Sequence, residues 1–299
     1  MPLETPTASW MSEEHRLYAD SIRRFLSDDY MPHLKRWNDQ GFVDADFWEK
    51  AGEAGILGAS IPTSHGGSGA DTTFDAITTY EQARLGDFSW GYSIHTIVVQ
   101  YVIAYATEEQ KHRWLPGLAA GMLVPALAMT EPGQGSDLQS VETYAVSDGD
   151  GLRINGAKTF ITNGQTANLV CLVVKTEKEA GARGVSLVMV ETDEVEGFRR
   201  GRNLEKVGLK GQDTSELFFD EMRVPRANLL GLEEGQGFYQ LMNQLSWERL
   251  VIGIGALGHM DFALDETLAY VKERQVFGRP VFDFQNTRFK LAEQKTKAE

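Results

Sequence analysis

The spacing of apolar residues changes twice along this 299-residue chain, and these changes constrain the fold more than any single motif. Up to about residue 120, and again after about residue 235, apolar side chains recur with the period of an α-helix, about 3.6 residues. Between these segments, short apolar runs alternate with Gly, Asn and Asp, which is typical of β-strands joined by turns. The clearest runs are LRINGAKTFITNG, NLVCLVVKT, RGVSLVMVET and SELFFDEMRVP.

This pattern predicts an α+β fold with three domains. We place an N-terminal α-helical domain at residues 1–122, a β domain at residues 123–233 and the start of a C-terminal α-helical domain at residues 234–299. The last segment, RFKLAEQKTKAE, reaches the end of the sequence within a helical pattern, with neither a glycine cap nor a proline. We therefore expect the C-terminal helical domain to be incomplete in this sequence.

Composition and charge narrow the classes of function. The chain is 42% hydrophobic and 24% charged, and no apolar run reaches the length of a membrane span. Its formal net charge of −14 argues against nucleic-acid and anionic-membrane partners, although local basic residues or helix N-termini can still hold a phosphorylated small ligand. The N-terminal segment MPLETPTASWMSEEHRLY lacks a basic and then apolar opening, so we expect a cytoplasmic protein.

The single cysteine and the six histidines do not indicate a redox or metal centre. Cys171 lies inside the run NLVCLVVK, which makes it a packed strand residue rather than a nucleophile and excludes an intrachain disulfide. The histidines show no metal-like spacing with one another or with Cys171. We therefore predict no metal site.

A glutamate interrupts an apolar stripe in the segment LSWERLVIG. Glu248 follows Leu245 by three residues and precedes Ile252 by four, so a helix would place all three on one face. A carboxylate on an apolar face is unfavourable unless it is paired, and neither Gln244 nor Val251, its other helical neighbours, is a cation. Either a residue from elsewhere in the fold binds Glu248, or Glu248 takes part in chemistry.

A second polar cluster lies in the glycine-rich segment ALAMTEPGQGSDLQS. It does not match a dinucleotide-binding fingerprint, because Leu138 stands at the third glycine position and the following residues are strand-like. A tight turn explains the glycines and the proline but not the grouping of Thr130, Glu131, Ser136 and Asp137. Exposed backbone N–H groups and hydroxyls in such a loop suit a ligand with carbonyl and phosphate groups.

The segment TEPGQGSD closely resembles the first signature of the acyl-CoA dehydrogenase family. The resemblance extends over essentially the whole chain. Further family-like segments, in the expected order, are GILGASIPTSHGGSG, ATEEQKHRWLPGLAAG, KTFITNG, KVGLKGQDTSELFFDEMRVPRANLLG and YVKERQVFGRPVFDFQNTRFKLAE. The resemblance implies an acyl-CoA dehydrogenase-like fold, with an N-terminal helical domain, a middle β-barrel domain and a C-terminal helical domain that is incomplete here.

The resemblance also implies where FAD binds. The residues it places at FAD in the first two domains are Leu127, Met129, Thr130, Gly135, Ser136, Phe160, Ile161 and Thr162. The residues it places at the FAD of a neighbouring subunit are Arg274, Val276, Phe277, Phe284 and Gln285. A guanidinium can bind a pyrophosphate with two hydrogen bonds, which gives Arg274 an independent rationale. The arrangement implies a homo-oligomer, either a tetramer or a dimer.

By the same resemblance, Glu248 is the catalytic base. In the branch typified by isovaleryl- and long-chain acyl-CoA dehydrogenases, the base comes from a segment similar to WERL at the start of the C-terminal domain. The substrate-binding residues are then Ser136, Ser246 and Arg249. Burial beside apolar residues raises the pKa of a carboxylate, which suits a base that acts near neutral pH. The alternative is a structural carboxylate that is hydrogen-bonded across domains.

The expected activity is FAD-dependent α,β-dehydrogenation of an acyl-CoA to the trans-2-enoyl-CoA, with the electrons passed to an electron-transfer flavoprotein. An acyl-CoA oxidase on the same scaffold is one alternative, because oxygen reactivity depends on solvent access. A non-catalytic fragment that binds flavin or CoA is another. The length of the acyl chain stays open, since one methylene in such a pocket is worth only about 1–3 kcal/mol.

Overall fold

The computed structural model describes residues 8–299 and begins with a domain of six α-helices. Residues 1–7, on which the predicted localisation partly rests, lie outside the described residues, so that localisation stays a prediction. The helices are α1 (Glu13–Phe25), α2 (Leu34–Gln40), α3 (Ala45–Glu53), α4 (Thr72–Ala83), α5 (Tyr92–Tyr105) and α6 (Glu108–Ala119). Two of them begin with capping boxes, at Ser12 with His15 and at Thr107 with Gln110, which satisfy backbone N–H groups at these helix N-termini.

Helices α4 and α5 lie in the centre of this domain. Helix α5 is buried on most of its circumference, because it packs against α6, the β domain and a later helix. Large aromatic side chains fill the rest of this helical core. Those that are completely or almost completely buried are Tyr30, Trp37, Trp48, Trp90, Tyr92, Tyr101 and Trp114.

The middle of the chain forms one seven-stranded sheet that curls around its own apolar core. Its strands are β1 (Pro125–Ala128), β2 (Tyr144–Asp148), β3 (Gly151–Thr162), β4 (Leu169–Lys175), β5 (Val185–Glu191), β6 (Phe198–Asn203) and β7 (Thr214–Pro225). The order is β1-β4-β2-β3-β7-β6, and β5 pairs with β4. The four predicted strand runs correspond to β3, β4, β5 and β7. The short strands β1, β2 and β6 were not singled out by the sequence pattern.

Strand β4 lies at the junction of the helical and β domains. All seven of its residues are buried, because its two faces contact different cores. Leu169, Cys171 and Val173 face a core shared with α5 and α6, whereas Val170 and Leu172 face the interior of the curled sheet. A strand buried on both faces has a continuous apolar sequence, as seen in NLVCLVVK. Cys171 is fully buried in β4, which confirms its prediction as a packed strand residue.

The chain then returns to helical structure, although not without a break. Helix α7 (Gly237–Glu273) is followed by a short hairpin of β8 (Gln275–Val276) and β9 (Arg279–Pro280), and then by α8 (Gln285–Ala298). The helical structure predicted after residue 235 is therefore interrupted at this hairpin. Its turn contains Gly278, whose φ of 74° suits glycine. In the part of the chain that the structure describes, no helix is sufficiently long and apolar to cross a membrane.

The predicted apolar stripe of α7 is only partly correct. Leu241 is buried and Leu245 is partly buried, but Ile252 is 62% exposed. The residues that face the helical domain further along α7 are instead Val251, Gly255 and Gly258. Small residues are needed there because α7 crosses α4 closely: a Cβ added at Gly258 would lie 2.6 Å from the Ala83 Cβ. The buried face of α7 therefore contains Val251, Gly255 and Gly258 and does not contain Ile252.

Two glycines of α7 provide a matched test of this close crossing. Gly258→Ala is expected to lower the free energy of unfolding by about 1–3 kcal/mol, because the added methyl group meets α4. Gly253→Ala is expected to raise it by about 0.5–1 kcal/mol, because Gly253 has open space around it and alanine is the better helix former. Urea denaturation of both variants measures the effect. Equal shifts in the two variants would contradict the close packing.

Candidate active site

Glu248 has a partner from another domain, which answers the question raised by its sequence. The Tyr101 hydroxyl, on α5, donates a hydrogen bond of 2.6 Å to Glu248 Oε1. The second oxygen, Oε2, has no hydrogen-bond partner among residues 8–299. Tyr101 is fully buried, and the thiol of Cys171 lies close enough for Glu248 to affect its pKa. Tyr101 cannot be identified from the sequence, because a tyrosine within an apolar helix carries no sign of a partner 147 residues away.

The surroundings of Glu248 favour a proton acceptor. Burial raises its pKa, and the hydrogen bond from Tyr101 and the charge of Arg249 oppose that shift only in part. Burial and the nearby Glu248 carboxylate raise the pKa of Tyr101, so the hydroxyl keeps its proton and acts as a donor. Burial and Glu248 also raise the pKa of Cys171 to about 12, so the thiol is not a nucleophile near neutral pH.

Predicted cofactor-site residues border the same apolar core. Leu127, on β1, pairs with Cys171 in the sheet, and both side chains belong to the core that contains Tyr101. Met129 and Trp247 pack against this core. The Trp247 indole Nε1–H is buried and donates to none of the residues that the structure describes, so this apolar region contains an unused donor. The fold thus places Leu127 and Met129 of the predicted cofactor site around the same core as Trp247 of α7.

The loop of residues 130–137, called the TEPGQGSD loop, is attached to β3 by a buried ion pair. Lys158 Nζ donates to Glu131 Oε1 at 2.8 Å and to the Met129 carbonyl at 2.9 Å. The same carboxylate accepts backbone N–H groups from Glu142 at 2.6 Å and Thr143 at 2.9 Å. Both oxygens of Glu131 therefore accept hydrogen bonds that hold the loop in place. This role of Lys158 cannot be identified from the sequence, because lysine side chains are usually exposed.

The ionisation of this pair follows from its burial. Burial lowers the pKa of Lys158 to about 8, against the opposing effect of Glu131. Burial disfavours the charged form of Glu131, but Lys158 and the N–H donors outweigh it and lower the pKa of that carboxyl. Removing one partner of a buried, hydrogen-bonded pair leaves an uncompensated charge. Loss of either partner is therefore expected to weaken the attachment of the loop to β3.

Phe160, two residues after Lys158, has an unusual conformation for a strand residue. Its φ is 59° and its side chain is 67% exposed, although Ile161 beside it is buried. A bulge between Lys158 and Ile161 produces this backbone, and the Thr159 N–H donates to the Thr130 carbonyl at 2.9 Å. Strain of this kind persists where the surroundings enforce it, often at ligand sites. The bulge presents an aromatic ring to solvent beside the TEPGQGSD loop.

Asp213 fixes the turn that follows this bulge. Its carboxylate accepts the Gln165 N–H at 2.6 Å and the Thr166 hydroxyl at 3.2 Å. The Asp213 carbonyl accepts the Asn163 N–H at 3.2 Å, directly after Thr162. Asp213 is thus a structural support for the segment of Phe160, Ile161 and Thr162.

The other predicted residues fall into two groups. Gly135, Ser136, Ser246 and Arg249 are exposed, the first two on the TEPGQGSD loop and the last two on α7. The residues predicted to contact the FAD of a neighbouring subunit form their own cluster at the hairpin and the start of α8. There the Phe277 and Phe284 rings lie 6.4 Å apart. This cluster consists of Arg274, Val276, Phe277, Phe284 and Gln285. The Phe277 side chain is 92% exposed.

Arg274, at the C-terminal end of α7, lines a cavity of about 320 Å³ with Tyr270, Glu273 and Gln275. Its backbone carbonyl accepts the Val281 N–H at 2.8 Å, which fixes the hairpin to the helix end. The guanidinium makes no salt bridge with the described residues and is available for an anion.

Breaking the buried ion pair tests its role in positioning the loop. Lys158→Met is expected to lower the free energy of unfolding by about 3–5 kcal/mol, because Glu131 is left without its cation. The double variant Glu131→Gln/Lys158→Met is expected to be less destabilised than Lys158→Met, because no buried charge remains. Urea denaturation of the two variants measures the difference. A Lys158→Met protein as stable as the unmodified chain would show that the pair is not required.

Comparison with known proteins finds the same family in all three parts of the chain. Family models of the acyl-CoA dehydrogenase N-terminal, middle and C-terminal domains match residues 12–122, 126–222 and 235–299. The mitochondrial long-chain specific acyl-CoA dehydrogenase of Mus musculus is 44% identical over 98% of this chain and 71% of its own length. The mitochondrial isovaleryl-CoA dehydrogenase of Solanum tuberosum is 34% identical over 97% of this chain and 71% of its own length.

A solved structure agrees with the described fold. An acyl-CoA dehydrogenase from Geobacillus kaustophilus superposes with a TM-score of 0.94 and 44% identity, covering 98% of this chain and 77% of that one. The helical, curled-sheet and helical domains are therefore those of a known architecture. Because all three domains match and a 44% identical relative aligns with nearly the whole chain, this protein belongs to the acyl-CoA dehydrogenase family, whose members are FAD-dependent oxidoreductases.

Proposed function

We propose that this protein removes the α-proton of an acyl-CoA thioester with Glu248 and forms the trans-2-enoyl-CoA. The observation that carries the proposal is the half-buried Glu248 carboxylate, which keeps one oxygen free while Tyr101 holds the other at 2.6 Å. A catalytic base needs a raised pKa, which burial supplies here. It also needs a fixed orientation, which the hydrogen bond from Tyr101 supplies. A purely structural carboxylate would be expected to use both oxygens, as Glu131 does.

The residues present fit FAD. The TEPGQGSD loop leaves open space at Gly133 and Gly135, where an added Cβ would contact nothing within 4 Å. The exposed ring of Phe160 provides a surface for a flat aromatic group, and Thr162 follows it on the same strand. Bound FAD supplies the acceptor for the β-hydrogen, which leaves as hydride. The chain itself then has to supply the base, the orientation of the thioester and the exclusion of water.

We assign the remaining roles by residue. Ser136, Ser246 and Arg249 are exposed on the loop and on α7 and are proposed to hold the CoA portion of the substrate. The hairpin cluster that contains Arg274 is proposed to reach the FAD of a second copy of the chain, so that the active form is a homo-oligomer. An electron-transfer flavoprotein is the proposed electron acceptor. Among acyl chains, the higher identity to long-chain relatives, 43–44% against 34–35% for isovaleryl relatives, favours a long-chain substrate.

The base is tested by anaerobic titration of the purified, FAD-loaded protein with a long-chain acyl-CoA and with isovaleryl-CoA. The unmodified chain is expected to lose its visible flavin absorbance, and the long-chain substrate is expected to act at lower concentration. Glu248→Gln is expected to slow this reduction by about 10²–10⁴-fold, because the amide cannot accept the α-proton. Glu266→Gln, an exposed change on the same helix, is the matched control and should react normally.

Equal rates for Glu248→Gln and the control would refute the assignment of the base. Rapid oxygen uptake without an added acceptor would identify an oxidase in place of a dehydrogenase. Binding of FAD and acyl-CoA without any bleaching would identify a non-catalytic binding chain.

The hydrogen bond from Tyr101 makes a separate prediction about pH. This bond lowers the pKa of Glu248, so Tyr101→Phe removes an opposing effect and the pKa rises further. Because the base must be deprotonated, the acidic limb of the kcat/KM profile is expected to move to higher pH. Tyr105→Phe is the control, since the Tyr105 hydroxyl donates to the Gln240 carbonyl at 3.4 Å instead. An unchanged acidic limb in Tyr101→Phe would contradict the proposed tuning.

A further inference from the structure

A second group of chemically active side chains lies in the N-terminal helical domain. His65 ends the short helical turn Thr63–His65, and Glu108 and His112 lie one turn apart at the N-terminus of α6. One potential ligand atom from each residue lies within 4.8 Å of those of the other two. The rings of His65 and His112 are 4.6 Å apart at an interplanar angle of 61°. The spacing of histidines alone did not find this group, because one of its members is a carboxylate and His65 comes from a separate loop.

Both imidazoles have one nitrogen occupied and one free. His112 Nδ1 lies 2.7 Å from the Glu108 carbonyl, an acceptor, so Nδ1 carries the proton and the lone pair is on Nε2. His65 Nδ1 lies 2.8 Å from the Ser64 hydroxyl. The His65 side chain is only 6% exposed, and its buried Nε2 has no hydrogen-bond partner among residues 8–299. A hydrogen bond at one nitrogen that leaves the other free is the arrangement of metal-binding histidines.

An internal ion pair does not explain the free nitrogen. His65 Nε2 is 3.7 Å from Glu108 Oε2, which is too long for a hydrogen bond. The other oxygen, Glu108 Oε1, accepts from Lys111 Nζ at 3.0 Å, which leaves Oε2 on the side of His65. A buried polar atom without a partner requires an explanation, and a bound ion is one of the few available.

The turn that carries His65 is closely packed. Gly66 follows it with a φ of 88°, and a Cβ added at Gly67 would lie 2.0 Å from the Ile61 carbonyl oxygen. The turn is therefore packed tightly against its own loop. Helix α6 is fixed at the same end by the capping box of Thr107 and Gln110. Both halves of the group are thus held in place without a ligand.

We propose that His65, Glu108 and His112 form a binding site for one divalent transition-metal ion, with Zn²⁺ as the expected occupant. Two imidazole nitrogens and one carboxylate oxygen suit Zn²⁺, whereas Mg²⁺ and Ca²⁺ prefer oxygen ligands alone. Tetrahedral ligands at about 2.1 Å from Zn²⁺ lie about 3.4 Å apart, so the present separations require only small side-chain rotations. Glu108 and His112 are exposed, so the fourth position opens to solvent. The ion joins the His65 turn to the N-terminus of α6 and is independent of the dehydrogenation site.

Calorimetric titration of the tag-free, chelator-treated protein with ZnCl₂ tests this site directly. The expected result is one Zn²⁺ per chain, with an affinity reduced at least tenfold in Glu108→Gln and in His112→Gln. Both residues are exposed, so these variants are expected to fold. Glu109→Gln, a carboxylate change at the next position of the same helix, is the matched control and should bind as the unmodified chain does.

A second readout measures the connection between the turn and the helix. Saturating Zn²⁺ is expected to raise the melting temperature of the unmodified chain and of Glu109→Gln by several degrees, and to leave that of His112→Gln nearly unchanged. Absence of stoichiometric binding would overturn the proposal. Binding of equal affinity in Glu108→Gln, His112→Gln and the control would also overturn it, because the ion would then lie elsewhere.

Discussion

The arrangement of this protein depends on how a carboxylate is kept in an apolar junction. Glu248 lies where α7 meets α5 and β4, next to a fully buried strand residue, and such a position disfavours a charge. The Tyr101 hydroxyl provides a single hydrogen bond, which is enough to orient the carboxylate but does not use both of its oxygens. The three domains are thereby linked at one point: Tyr101 belongs to the first, Cys171 to the second and Glu248 to the third. The chemistry of the site follows from that junction.

The second buried charge pair acts differently. Glu131 and Lys158 use their hydrogen-bonding capacity on each other and on the backbone, so neither is free to react. Their effect is to hold the TEPGQGSD loop against β3, directly before the bulge that exposes the Phe160 ring. A strained backbone beside a fixed loop is a pre-formed surface, which reduces the ordering that a ligand would otherwise require. The contrast between Glu131, which uses both oxygens, and Glu248, which uses one, supports the proposal that Glu248 is the base.

Much of this arrangement follows from the sequence, and the remainder has identifiable physical reasons for being missed. The change of apolar period predicts the domain order and the strands around Cys171, because a strand buried on both faces has a continuous apolar sequence. The unusual position of Glu248 is also visible, but its partner is not, since Tyr101 is 147 residues away. Ile252 is exposed because close packing at Gly258 fixes the rotation of α7. Lys158 and the group around His65 depend on tertiary contacts that no local spacing encodes.

The central claim is that Glu248 removes the α-proton of the substrate, and isotope exchange measures this step most directly. The protein is incubated with an acyl-CoA analogue that cannot lose its β-hydrogen, in deuterated buffer, and deuterium at the α-carbon is followed by NMR. Exchange is expected with the unmodified chain, and Glu248→Gln is expected to lose about 10²-fold or more of it, because an amide cannot accept the α-proton. Equal exchange in both proteins would contradict the account and would place the base at another residue.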